Sequence, residues 1–187
     1  MRTKPRTLEL GTISHGTARA DDIVPALLAA LDHVALSAED RRMCNELQRD
    51  LDAWSDTASE SDDADSSNPG TIIAGCSPRS DELACEIEAM LYETLMPLAE
   101  CYAPDYCYLG SHPGDGSDIG VWPCEEILDD TRQGSYDGDC WRLQANNHPD
   151  EESIPADMSH ALRVTDHGNA TLYRRSGSRW TECWSTV

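Results

Sequence analysis

Four glutamates, Glu82, Glu86, Glu93 and Glu100, recur at separations of four, seven and seven residues. On an α-helix, at ~100° per residue, they fall within about 40° of one another and form one carboxylate stripe. Axial gaps of ~6 and ~10 Å, at 1.5 Å per residue, are comparable with phosphate spacing on a nucleic-acid strand, one per ~3.4 Å of axis. The chemistry on offer is recognition: a phosphate-like face for an Arg/Lys groove. Asp81 and Glu88 add to the same acidic helix. The plainer meaning of such a stripe is a solvated helix face, which is commoner. A solvated face, however, usually mixes signs and gains i,i+4 pairs. This helix has no basic residue after Arg79.

A second group lies in His112-Pro113-Gly114-Asp115-Gly116-Ser117-Asp118. His112, Asp115 and Asp118 have the types to hold a divalent metal, or to act as acid and base. Two glycines and a proline describe a polar hairpin turn equally well, and three ligands in one loop are weak evidence for a centre. Nucleophilic catalysis has less support. There is no G-x-S-x-G, no P-loop and no G-x-G-x-x-G after a strand. Eight cysteines and six histidines leave a Cys/His pair unassigned, and no C-x-x-C marks a zinc site. The expectation is no catalytic residue, no metal and no cofactor, with most of the cysteines serving as small buried hydrophobes.

These residues need elements to hold them. Asp21 and Asp22 are expected as N-caps of a first helix, with Pro25 in its first turn. Ile23, Leu27, Leu28, Leu31 and Val34 give that helix an apolar face. Ser37 and Asp40 form a capping-box-like pair for a second helix to about Trp54, lined by Met43, Leu47, Leu51 and Trp54. Together they read as a helical hairpin. Residues 55–70, rich in Ser, Asp, Ala and Thr, read as a flexible acidic loop. Ser77-Pro78 starts the third helix, whose apolar side is Leu83, Ile87, Met90, Leu91, Thr94 and Leu98. Pro97 ends or kinks it.

Strands follow. One is expected early, over Thr7 to Ile13. Tyr106 to Ser111 and Ile119 to Trp122 flank the 112–118 loop. A short helix is expected over Glu125 to Asp130. Ala161 to Thr165, Thr171 to Arg175 and Trp180 to Trp184 are separated by good turn chemistry. The fold class is α+β: a helical hairpin and a third amphipathic helix packed on an antiparallel sheet of about five strands. At 187 residues the length favours a single domain, residues 1–187.

Charge decides among partners. Residues 50–131 carry twenty carboxylates and one arginine, hence −19 of the whole-chain −21. Residues 1–49 are balanced and residues 132–187 nearly so. Such a field attracts basic surfaces and repels nucleic acid and anionic membrane. Halophilic acidity would coat the entire surface, which near-neutral flanks oppose. The first sixteen residues show no secretory signal, and the longest apolar stretch, broken by Pro25 and Asp32, is too short to span a bilayer. A cytoplasmic protein is expected, with reduced thiols.

Three segments carry a resemblance: Tyr106 to Trp122 (YCYLGSHPGDGSDIGVW), Gly11 to Thr17 (GTISHGT) and Asp166 to Tyr173 (DHGNATLY). Together they span about a sixth of the chain, and the chain resembles uncharacterised acidic proteins of phages and integrated mobile elements. Leu109, Ile119 and Val121 stand where that pattern usually has Phe. The resemblance implies a context, mobile genetic elements, and transfers no catalytic residue. Joined to the charge, it points to an inhibitor of a host defence complex of the anti-CRISPR or anti-restriction kind, acting as a nucleic-acid mimic. The expected partner is a basic nucleic-acid-binding protein or nucleoprotein complex. Contacts are expected from Asp81, Glu82, Glu86, Glu88, Glu93, Glu100, Asp115 and Asp118, with Tyr108 and Trp122 as aromatic anchors.

Overall fold

The computed structural model describes residues 5–59, 78–124, 136–137, 140–144 and 146–186. The architecture is α+β, with helices and two sheets. The helices are α1 (Ala20–Asp32), α2 (Ala38–Ser59) and a long third rod built of α3 (Pro78–Ala89), a π-helical segment (Met90–Leu95) and α4 (Met96–Glu100). The strands are β1 (Gly11–Ser14), β2 (Cys107–His112), β3 (Asp115–Pro123), β4 (Tyr136–Asp137), β5 (Cys140–Arg142), β6 (His160–Val164), β7 (Ala170–Ser176) and β8 (Arg179–Ser185).

The strands do not form one antiparallel sheet. They divide into an antiparallel sheet of order β1-β3-β2 and a second of order β4-β5-β6-β7-β8. In the second, β5 and β6 are parallel, Cys140 opposite His160, so residues 143–159 make the crossover that a parallel pair requires. Nor does the third helix lie directly on a sheet along its length. Its α3 and π segments pack mainly on α1, α1 packs on β1, and α4 packs on β2.

Local chemistry explains most boundaries. Asp21 and Asp22 do not cap α1: Arg19 holds the N-cap position, and the two aspartates fall in the first turn beside the positive helix end. Pro25 lies beyond that turn, so α1 lacks one internal hydrogen bond there. The Ser37–Asp40 cap forms, with Asp40 N–H donating to Ser37 Oγ at 3.1 Å and Ser37 Oγ–H donating to Asp40 Oδ2 at 2.7 Å. Residues 55–59 continue α2 instead of opening the acidic loop. The rest of that loop and the expected helix at Glu125 to Asp130 lie outside the described residues. Strand β1 starts later than expected, and the β2–β3 hairpin is tighter. Its turn is Pro113-Gly114, and a bulge between Ser111 and His112 lets Asp115–Asp118 run on as strand.

Gly120 sets the β1–β3 contact. A Cβ there would sit 2.2 Å from the Gly11 carbonyl oxygen and 2.9 Å from Thr12 Cα, so only glycine admits β1 at this register.

The main core joins the helices to the first sheet through Ile23, Val24, Leu27, Leu31, Leu91, Leu95, Leu109 and Val121. Met43, Leu47, Leu51 and Trp54 of α2 pack against it. A second cluster, Cys140, Leu162, Ala170, Leu172 and Trp184, fills the seam between the sheets, with Leu10, Tyr106, Cys107, Cys124 and Cys183 against it. The opposite face of the second sheet is covered by Leu143, Ala161, Tyr173, Trp141, Ile154 and Trp180.

Candidate functional site

The third helix presents Glu82, Glu86, Glu88, Glu93 and Glu100 exposed. Asp81 lies on α3, its side chain outside the described set. The straight stripe nevertheless breaks. An i→i+5 turn holds one residue more than an α turn, so positions beyond Met90–Leu95 are set back by about one residue's rotation, ~100°. Burial registers the shift. Thr94 is only half-buried, while Leu95 and Ala99 are fully buried beside Met90, Leu91 and Leu98. The π segment ends two residues before Pro97, whose ring in a straight α-helix would clash with the carbonyl of Glu93.

Glu100 leaves the stripe altogether. Its Oε2 accepts the Leu109 backbone N–H at 3.0 Å, fastening α4 to β2. Glu82, Glu86, Glu88 and Glu93 remain exposed and form no ion pair among the described residues. A notch of about 330 Å³ lies between α1 and α3, bordered by Arg19, Asp21, Leu83, Ile87 and Glu88. In it Arg19 grips Asp21 with two bonds, Nε–H to Oδ1 at 3.0 Å and Nη2–H to Oδ2 at 2.5 Å. That guanidinium holds the Asp21 carboxyl below its ordinary range. One aromatic stands among these carboxylates, missed in the sequence reading. Tyr92, 59% exposed, lies one helical turn from Glu88. Its signal was available: a large apolar residue off the apolar face.

Tyr108 and Trp122 are not on this face. They pair across β2 and β3, next to the buried pair Leu109 and Val121. Neighbouring positions on a strand face opposite ways, and Leu109 and Val121 face the helices, so Tyr108 and Trp122 face away from them. Both are half-buried, with Trp122 Nε1–H on the Gly110 carbonyl at 3.0 Å and Tyr108 O–H on the Ser111 carbonyl at 3.1 Å.

The hairpin-loop ligands are likewise engaged separately. His112 Nδ1 accepts the Gly114 N–H at 3.0 Å and its ring meets Trp122 edge-on. Asp115 Oδ1 accepts from Ser117 N–H at 3.0 Å and Ser117 O–H at 2.7 Å, which lower its pKa. Asp118 pairs with His15 Nδ1 and accepts the Gly16 N–H at 3.2 Å. These are the bonds of a turn, and they tie the hairpin tip to the segment after β1.

What the tertiary structure assembles instead is a Cys/His/Asp centre at the seam. Asp105, His160 and Cys183 offer ligand atoms all within 4.8 Å of one another, the group of that kind found among the described residues. His160 Nε2 lies 3.1 Å from Asp105 Oδ2, and its Nδ1 lies 2.7 Å from Ser159 Oγ. Trp184 Nε1–H donates to the Asp105 carbonyl at 2.8 Å, and Arg174 Nη1 lies 3.5 Å from Asp105 Oδ2. Tyr106 next door adopts φ 60°, a left-handed conformation that costs a non-glycine residue on the order of 1 kcal/mol. Its ring meets His160 edge-on at 5.2 Å.

The nearby thiols are held protonated. Burial pushes Cys107 up to about 12, with Cys124, Asp105 and Cys183 acting in the same direction. Burial also raises Cys183, reinforced by Asp105. In this field a free thiolate nucleophile is disfavoured.

The whole is therefore an acidic α+β protein with two distinct features, a carboxylate-rich helical face and a Cys/His/Asp cluster in which His160 is buried and Asp105 exposed. Comparison with protein-family models, with curated proteins and with solved structures returns no match for the chain.

Proposed function

We propose that the protein is an acidic inhibitor that occupies the basic nucleic-acid-binding surface of a host defence complex, of the anti-CRISPR or anti-restriction type, in the host cytoplasm. The observation that supports this reading is Tyr92. It stands 59% exposed on a helix whose Glu82, Glu86, Glu88 and Glu93 carboxylates have no ion-pair partner among the described residues. Its own fold gains nothing from that arrangement, whereas a basic partner gains both charge and an aromatic anchor. The resemblance to acidic proteins of phages and mobile elements supplies the biological setting.

In this reading the notch between α1 and α3 receives an arginine of the partner. Its stem lies on Leu83 and Ile87 and its guanidinium meets Glu88, as Arg19 already meets Asp21. The acidic segment beyond residue 59 adds long-range attraction. Affinity is then mainly electrostatic and falls with salt. Direct binding to nucleic acid or to an anionic membrane is opposed by the charge. No described helix is long and apolar enough to cross a membrane.

The test is co-purification of tagged protein at low salt from a host carrying defence systems, with partners identified by mass. Recovery of a nucleic-acid-binding complex, lost on reversing Glu82, Glu86 and Glu88 to Lys, supports the proposal. Recovery only of proteins that bind no nucleic acid ends it.

A further inference from the structure

We propose that Asp105, His160 and Cys183 form a binding site for one borderline-soft divalent cation of the zinc class. This goes beyond the inhibitory reading and does not depend on it, since the acidic helix and the seam share no residue.

The first argument is convergence from three separate elements. Asp105 lies in the connection after α4, His160 opens β6 and Cys183 lies in β8, yet their ligand atoms meet within 4.8 Å. Each is held by contacts made outside the group. Asp105 is placed by the Trp184 bond to its carbonyl, at 2.8 Å, and by the left-handed turn at Tyr106. His160, 8% exposed, is set by its strand register between Cys140 and Arg174 and by the ring of Tyr106. Cys183 owes its direction to a bulge. Leu172 pairs with Trp184 and Tyr173 with Glu182, which leaves Cys183 as the extra residue of β8. In a regular strand Cys183 and Trp184 would face opposite ways, whereas here both contribute to the seam cluster.

The second argument is the donor set. One sulfur, one imidazole nitrogen and one carboxylate oxygen suit zinc-class ions, not magnesium or calcium, which take oxygen. A thiolate and a carboxylate balance a 2+ charge when the imidazole is neutral. With an ion bound, Nε2 gives its lone pair to the metal and Nδ1 carries the N–H, which Ser159 Oγ, 2.7 Å away, is placed to accept. Such an outer partner is typical of metal-ligating histidines. Three protein ligands leave a fourth position, and the Asp105 side chain, 42% exposed, puts it on the solvent side. Arg174, whose guanidinium now lies 3.5 Å from Asp105 Oδ2, is 64% exposed and free to withdraw when an ion takes over that charge.

The experiment uses the full chain, stripped of metal with a chelator and titrated with Co(II) alone and then Zn(II) alone. One equivalent of Co(II) is expected, with a near-ultraviolet thiolate-to-cobalt band and the intense visible bands of four-coordination, both lost on adding Zn(II). Cys183→Ser should abolish the thiolate band. Ser159→Ala should keep the band and weaken binding by about 10- to 100-fold, a loss that packing alone would not cause. Cys107→Ser and Cys124→Ser should change neither, and circular dichroism checks that each variant is folded. Absence of a thiolate band in the wild type, or a band that survives Cys183→Ser, overturns the proposal. So does a band that disappears with Cys107 or Cys124. Reversal of Glu82, Glu86 and Glu88 should leave the titration unchanged, so this result and the co-purification succeed or fail separately.

Discussion

The phenol of Tyr102 donates to the Asp40 carboxylate and accepts the Ser37 backbone N–H at 3.0 Å, locking the end of the third helical rod to the start of α2. In a capping box the acidic residue itself reaches back to the N-cap N–H. Here Tyr102, 65 positions beyond the N-cap, does so in its place. The cap is thereby both a local signal and a tertiary contact.

Tyr102→Phe should cost about 1–2 kcal/mol, because it removes a bond to a charged acceptor and strands the Ser37 N–H. Urea unfolding measures it, and Asp40→Asn in a double-mutant cycle should show coupling. The Tyr102 bond is the leading cause of the lowered Asp40 pKa. A carboxylate with a depressed folded-state pKa contributes stability above its unfolded value, ~3.9, and that contribution disappears as pH falls through the folded value. The difference between wild type and Tyr102→Phe should therefore shrink below about pH 4. A difference that stays constant from pH 7 to pH 2.5 would argue against the ionised acceptor.

Gly120→Ala should detach β1. The new methyl would have to occupy space 2.2 Å from the Gly11 carbonyl oxygen, a backbone atom that moves only with its strand. A loss of about 2 kcal/mol or more is expected. Hydrogen exchange should show faster exchange at Gly11–Ser14 while the β2–β3 hairpin keeps its protection. Equal loss across all three strands would contradict the local account.

Thiol labelling should follow burial and charge. Cys85 and Cys101 are exposed, whereas Cys107 is a protonated thiol with its pKa near 12. At pH 8 the Cys107 thiolate fraction is then about 10⁻⁴. Alkylation followed by peptide mass analysis should find Cys85 and Cys101 modified first and Cys107 last among these three. Cys107 labelled as fast as Cys85 would refute the account of a buried, anionic seam.

Tyr92→Ala should separate binding from folding. The ring is 59% exposed, so unfolding free energy should change by less than about 0.5 kcal/mol. Binding to a captured partner should weaken by about tenfold or more, the usual effect of losing an aromatic anchor. Loss of stability with unchanged binding would place Tyr92 in the fold and not at an interface.

The elements themselves were largely legible. The apolar spacing of α1, α2 and α3 and the turn chemistry around β6, β7 and β8 located them to within a few residues, because periodicity and capping are encoded by near neighbours. Two placements were settled by longer-range geometry. Pro97 is expected to end or kink the third helix; the helix does not end there, because a π segment accommodates the proline and the rod runs on to Glu100. Tyr108 and Trp122, expected as aromatic anchors, lie on the side of the first sheet away from the helices, because neighbouring strand positions alternate.

By itself, the sequence determined a concentration of uncompensated carboxylates, an acidic third helix and an α+β class, since charge, period and turn residues all act over a few positions. Only the tertiary structure decided how far the stripe stays in line and that Asp105, His160 and Cys183 meet. Those three are 55 and 23 residues apart in order along the chain. Their meeting depends on a left-handed residue, a parallel strand pairing and a bulge. Such features are set by which strands pair and in what register, a property of the assembled sheets that no local pattern carries.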